Sequence, residues 1–321
     1  SWSGKWTTIP VPSNWELQGF GKYDYGHAKD SERGKEQGLY KHHFTVPAAW
    51  RAKQVNLVFE GSMTDTEVKI NGRLAGPVHQ GSFYRFGYDI TGLLHFGKDN
   101  LLEVTVSKHS ANPTVNKAER FGDFWIFGGI FRPVCLEAKP RQQISRLAVD
   151  ARSDGALKAE FCLDGIASAG RIIARVSTPD GQSVGEEFSV PVEKGQATAV
   201  LETTVKGVRA WSPEQPELYF VTFRLLSKGQ TIHEVTERIG FRTIEKRERD
   251  GIYVNGIKVK FKGVNRHTFR PVSGRASCKA YSIADVKLMK EMNMNAVRMS
   301  HYPPDIHFLD AWDSLGLFVL D

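Results

Sequence analysis

Residues 261–321 constrain the fold more than any other stretch of the chain. Three short apolar runs, within FKGVNRH, NAVRMSHYPP and GLFVLD, alternate with two segments that carry apolar residues at helical spacing. That alternation predicts parallel strands joined by crossover helices. The first apolar helix face is Ile283, Val286, Met289 and Met292; the second is Ile306, Leu309, Trp312 and Leu315. Ser282 reads as the first helix's N-cap, with Asp285 closing a capping box. Asp305 reads as a first-turn acid favoured by the second helix's dipole, and Gly316 as that helix's stop. The run 317–320 has the continuous apolar character of a strand buried on both faces. A closed barrel of this type needs eight such units and about 250 residues. Three strands and two helices make only an incomplete (β/α) barrel segment.

The upstream chain follows a different rule. Residues 1–140 hold short strands with turn residues between them, among them 39–46, 54–60 and 101–106. The run at 67–70 leads into Asn71-Gly72, a strong two-residue hairpin signal. This spacing predicts a jelly-roll β-sandwich. Residues 141–244 repeat the theme, with strands at 144–149, 157–163, 171–176, 197–205 and 218–226 and a turn at Pro179-Asp180-Gly181. About 100 residues with five to seven strands predict an immunoglobulin-like β-sandwich. Residues 245–321 then form the barrel segment, introduced by a small hairpin around Asn255-Gly256. The fold class is therefore multidomain and mainly β: jelly roll, immunoglobulin-like sandwich, then the start of a TIM barrel.

Composition removes several alternatives. The net charge of +7 comes from 43 basic and 36 acidic residues spread along 321 positions, without a basic stripe. A solvated surface, rather than nucleic-acid binding, is the expectation. No run approaches the ~18 apolar residues of a membrane helix, so no membrane insertion is expected. Cys135, Cys162 and Cys278 are far apart and show no CxxC spacing, so no metal site is expected. Residues 1–12 lack the basic start and apolar core of a signal peptide. Beginning Ser1-Trp2 without Met, the chain reads as an excised piece, and its compartment stays open, periplasmic and extracellular placement included.

Polar residues cluster just past the ends of the predicted parallel strands, the side on which such folds bind ligands. His267 and His301 follow consecutive strands and should be neighbours. They could bond a polyhydroxylated ligand, or each could satisfy backbone groups locally. Arg298 lies within its strand and needs a carboxylate partner, either to orient catalytic carboxylates or as a structural ion pair. Asp123 sits in RFGDFWIFGGIFRP, whose Phe121, Phe124, Trp125 and Phe127 are either sugar-facing rings or sandwich core. Hydrolysis of a glycosidic bond needs two carboxyl groups. Only Asp321 stands at a strand end here, and one carboxylate is not a pair. Neither GxSxG nor GxxxxGK[ST] occurs.

The stretches NAVRMSHYP (295–303) and DSLGLFVLD (313–321) closely resemble glycoside hydrolase family 2, the family of β-galactosidases, β-glucuronidases and β-mannosidases. FKGVNRH (261–267) is most similar to its β-galactosidase branch. VPSNWELQGFG (11–21) and DFWIFGGIFR (123–132) resemble the start and the closing motif of the family's sugar-binding domain. WSPEQPELY (211–219) and IGFR (239–242) resemble motifs of its immunoglobulin-like domain.

The resemblance implies that His267 and His301 line the sugar subsite beside the cleaved bond. It implies that Asp123 reaches in from the sandwich to bind a sugar hydroxyl, and that Arg298 supports the catalytic carboxylates. It also implies that the acid/base and nucleophilic glutamates lie on later barrel strands, beyond Asp321, so no catalytic residue is in this chain. No cofactor is implied for this chain; the magnesium ligand of some β-galactosidases is expected just past Asp321. Two features depart from the β-galactosidase branch: Thr268 replaces an acidic residue found in many of its members, and the 25–38 segment is short and charged.

These readings predict the N-terminal part of a retaining exo-β-glycosidase, β-galactosidase foremost, that does not itself turn over substrate. β-Glucuronidase and β-mannosidase are the alternatives within the family. A non-catalytic carbohydrate-binding protein is the alternative outside it, although a lectin has no need of barrel strands. A structural module is the third reading. The partner expected is an oligosaccharide or glycoside, and the open sheet edge could self-associate into a homo-oligomer.

Overall fold

A computed structural model describes residues 4–29 and 35–321. The first residues of the jelly-roll region and the middle of the charged 25–38 segment therefore lie outside the described residues.

The first sandwich pairs a four-stranded sheet with a three-stranded one. The larger has the order Gln37–Thr45, Asp99–Ser107, Asp65–Ile70, Arg73–Leu74, and the smaller the order Phe86–Asp89, Gln54–Phe59, Val134–Lys139. Their inward residues alternate with outward ones, as a half-buried strand requires. Val55, Leu57, Phe59, Val68, Ile70, Val104 and Val106 meet between the sheets with Trp15. The Asn71-Gly72 hairpin forms, with both residues at positive φ (51° and 76°). A separate two-stranded ladder joins Asp24–Tyr25 to Trp125–Ile126. A short helix, α1 (Pro113–Glu119), begins at Asn112, whose side chain accepts from the Thr114 amide.

The second sandwich has seven strands. Gln143–Ala151, Ala156–Asp164 and Thr198–Thr204 form one sheet; Ser183–Val192, Gly170–Ser177, Tyr219–Ser227 and Gln230–Ile239 form the other. Phe161 and Phe223 meet edge to face at its centre, ring centroids 5.2 Å apart. Two of these strands, Ser183–Val192 and Gln230–Ile239, were not read from the sequence. Both are sheet edges with mostly exposed or half-buried residues, so neither carries a strong apolar signal.

The C-terminal region forms the predicted parallel sheet. Gly263–Arg266, Ala296–Met299 and Phe318–Leu320 lie in that order, joined by α2 (Lys279–Glu291) and α3 (Ile306–Leu315). Val286, Met289, Phe308 and Trp312 pack against Val297 and Met299 on one face. The opposite face is open. It walls a groove of about 910 Å³ that includes Val264, Asn265, Arg298 and Leu320.

Three local expectations fail here. Helix α2 starts four residues early, with Cys278 at the N-cap position and Lys279 as its first residue, and Ser282 is a fully buried helical residue bonded to His307 Nδ1 at 2.8 Å. Asp285 makes no capping box; it pairs with Arg266 (2.7 Å) and with Arg270. The strand Phe318–Leu320 is not buried on both faces, and Leu320 is 63% exposed. Among the described residues this sheet has three strands, and the groove on its open side is also walled by Ile244, Ile252 and Val254 of the preceding hairpin.

Candidate active-site face

The parallel register sets the geometry. Arg266 pairs with Met299, so the residues that follow, His267 and Ser300-His301, emerge side by side. The two imidazoles meet nearly perpendicular, with ring centroids 5.6 Å apart. One strand position earlier, Asn265 pairs with Arg298. Arg298 donates to Asn265 Oδ1 (3.4 Å) and to His301 Nδ1 (3.2 Å). A guanidinium can only donate, so His301 Nδ1 accepts and its ring proton sits on Nε2, available to a ligand oxygen.

Arg298 differs from expectation in its surroundings. It is exposed, and among the described residues its partners are an amide and an imidazole rather than a carboxylate. Its strand lies on the open face, where water replaces the partner that burial would demand.

His267 approaches the Tyr302 hydroxyl through Nδ1 at 3.3 Å. Burial, the nearby Arg275 guanidinium and His301 hold the His267 imidazole below its ordinary pKa, while the Asp123 carboxylate acts in the opposite sense. Asp123 acts on His267 from a distant part of the sequence. It comes from the first sandwich, just ahead of Trp125–Ile126, and accepts a hydrogen bond from the Tyr25 hydroxyl. That bond raises the Tyr25 pKa. The structure therefore brings His267, His301 and Arg298 together at the strand ends, while the Asp123 carboxylate acts on His267 from another region of the chain. Of the four aromatics around Asp123, Phe121 and Trp125 are exposed, Phe124 is half-buried and Phe127 is buried.

Several further residues support this face. Arg275, in the loop after the first parallel strand, is 4% exposed. Its guanidinium lies 4.2 Å from the Tyr302 ring centroid and 5.3 Å from that of Phe124, and burial lowers its pKa. Its amide donates to Asn14 Oδ1 at 2.8 Å, across 261 positions of sequence. Tyr302 stacks on Phe83 of the sandwich with centroids 4.4 Å apart. Asp305 precedes α3 but does not cap it; it pairs with buried Arg132 at 3.0 Å. The NAVRMSHYP motif pointed to Tyr302 without assigning it a role, and nothing local to Arg275 marks its burial.

The architecture and this face define a class: two β-sandwiches ahead of the first strands of a TIM-type barrel, with polar residues at the strand ends. Comparisons place it. The sugar binding domain of glycosyl hydrolases family 2 matches residues 3–140, the family's middle domain matches 144–242, and its TIM barrel domain matches 245–321. The chain belongs to glycosyl hydrolase family 2. A β-galactosidase of Lactobacillus delbrueckii subsp. bulgaricus is 33% identical over 98% of this chain and 32% of its own length. A β-galactosidase of Streptococcus thermophilus is 32% identical, over 98% of this chain and 31% of its own. The crystal structure of Bacteroides uniformis β-glucuronidase superposes with a TM-score of 0.81 at 26% identity, covering 98% of this chain and 38% of that one. The chain thus spans about a third of the length of these curated relatives.

Proposed function

We propose that this chain is the N-terminal part of a retaining exo-β-glycosidase that releases terminal β-linked sugars, with β-galactosides as the favoured substrates. The observation that supports the reading is the side-by-side emergence of His267 and His301 at the strand ends, with the Asp123 carboxylate acting on His267 from the first sandwich. Asp123 accepts from a sugar hydroxyl, His301 Nε2 donates to a sugar oxygen, and His267 completes the subsite. Arg298 stands behind them, oriented toward the carboxylates that cleavage requires. Such an enzyme uses two carboxyl groups about 5–5.5 Å apart, one as nucleophile and one as acid/base. The described strand ends offer no such pair, so the 321-residue chain binds substrate without cleaving it. The division of labour follows the proposed domains: 1–140 supplies Asp123, 141–244 is a brace, and 245–321 supplies the rest.

A β-glucuronide substrate is the second reading, and one observation favours it. Arg298 has no carboxylate partner among the described residues, so a sugar carboxylate would meet an open guanidinium. Calorimetric titration with methyl β-D-galactopyranoside and methyl β-D-glucuronide separates the two. Binding of the galactoside, lost in Asp123→Ala and His301→Ala, is the expected result. Binding of the glucuronide alone, lost in Arg298→Ala, would establish the second reading. Turnover of an aryl β-glycoside by the pure chain would overturn the assignment of roles.

A further inference from the structure

The ladder beside Asp123 is very short. It consists of two residue pairs, Asp24 with Ile126 and Tyr25 with Trp125, too few to hold together in water on their own. Direct partners in a ladder point to the same side, so its two faces differ. On the outer face Tyr25 lies beside Trp125, which is 48% exposed, and the Tyr25 hydroxyl donates to Asp123. On the inner face Ile126 is buried, and its partner Asp24 is a carboxylate only 3% exposed. A buried carboxylate without a partner is costly, so this face needs a cation.

Lys108 supplies it. This residue follows the strand Asp99–Ser107 of the larger sheet, and its side chain is fully buried. Its ammonium lies 3.2 Å from Asp24 Oδ2 and 2.8 Å from Glu16 Oε1, and it donates to the Lys22 carbonyl. His109 Nε2 stands farther off, 3.9 Å from the same Asp24 oxygen. An ammonium has three donors, and three acceptors meet it here. Two of them, on Lys22 and Asp24, belong to the segment that leads into Tyr25. The third reaches the opposite strand, because Glu16 also accepts from the Gly128 amide at 3.0 Å, two residues past Ile126. Lys108 thus ties both sides of the ladder to the body of the sandwich. Stability alone does not call for this arrangement, since a buried ion pair is often no better than apolar residues of the same shape. What a charged tie adds is a fixed position.

We propose that Lys108 is a positioning residue: with Glu16 and Asp24 it fixes the short ladder so that Tyr25 holds the Asp123 carboxylate where a sugar hydroxyl meets it. This role rests on the functional reading above for Asp123 itself.

The titration of Tyr25 reads the position without any sugar. Its bond to Asp123 raises the Tyr25 pKa, and the tyrosine Cζ resonances follow that titration by NMR. Lys108→Met alone would strand two buried carboxylates, so two other variants serve. Asp24→Ala cuts one tie and leaves Lys108 paired with Glu16. The triple variant Glu16→Gln, Asp24→Asn, Lys108→Met removes all three charges together and strands none. In each, a cooperative urea transition shows that the chain folds, and the Tyr25 pKa falls toward its ordinary value. Methyl β-D-galactopyranoside then binds roughly fivefold more weakly, the worth of about one hydrogen bond. Trp211→Phe, which loosens the chain elsewhere, leaves both readouts in place. A Tyr25 titration unmoved in either variant that folds overturns the proposal, as does a shifted Tyr25 with galactoside affinity intact. If wild type binds no galactoside while the variants still shift Tyr25, the functional reading fails and the tie from Lys108 to the ladder stands.

Discussion

The barrel segment is held by two seams, one with each sandwich, and they are built from different chemistry. The jelly-roll seam buries charge. Arg132 and Asp305 pair at 3.0 Å with side chains only 6% and 8% exposed, and Arg132 also donates to the carbonyls of Phe83 and Pro303. Arg275 lies among Phe83, Phe124 and Tyr302. The immunoglobulin-like seam instead buries an indole and leaves its charges wet. Trp211 Nε1 donates to the Asp313 carbonyl at 2.8 Å, while Arg238 meets Asp310 in a pair 26% and 52% exposed. A buried pair has exacting geometry and is costly to break; an exposed one adds little. The exacting seam takes in Tyr302, Pro303 and Asp305, in the loop just after His301, and the tolerant one takes in Asp310, Asp313 and Ser314 in the C-terminal half of α3.

The largest effect should come from Asp305→Ala. It leaves the Arg132 guanidinium buried without its counter-charge and should destabilise the chain by about 3–5 kcal/mol. The urea midpoint reads this, and a loss under ~1 kcal/mol would place the seam's strength in its aromatic contacts instead. Next comes Trp211→Phe at the other seam. The ring volume largely remains, but the Asp313 carbonyl loses its donor, for an expected loss of about 1–3 kcal/mol. Asp310→Ala should cost less than about 1 kcal/mol, because Arg238 keeps the Asp310 carbonyl at 3.0 Å and Ser314 Oγ at 3.1 Å. If Asp310→Ala matched Asp305→Ala on the same denaturation curve, the contrast between the seams would be gone.

The seams also mark the limit of what could be read from sequence. The βαβαβ order was legible because Ile283, Val286 and Met289 repeat at helical spacing and the apolar runs are short. The pairing of His267 with His301 followed from consecutive parallel strands. Helix α2's start was misread because Ser282 has the chemistry of a cap, and only tertiary packing shows it turned inward to His307. Edge strands such as Gln230–Ile239 pack one face at most, so their sequence does not announce them. Arg275 and Arg132 were invisible for a different reason. Their partners, Asn14 and Asp305, are 261 and 173 positions away, and arginine is ordinarily a surface residue.

The smallest effect in energy reaches the site itself. Burial is the main cause of the lowered His267 pKa, and Arg275 is the second. Arg275→Met should therefore raise the His267 pKa part of the way toward its ordinary value, read from the imidazole resonances in an NMR pH titration. Arg238→Met, at the far seam, should leave it in place. The sign on stability follows. A histidine that titrates lower when folded than when unfolded takes up its proton later in the native state. Stability is thus unaffected above the unfolded value, falls as pH drops through it, and stops falling below the folded value. Arg275→Met should shrink that acid loss by narrowing the gap between the two values. A His267 titration equally sensitive to both substitutions would mean that the charge buried in the jelly-roll seam does not act selectively on the site.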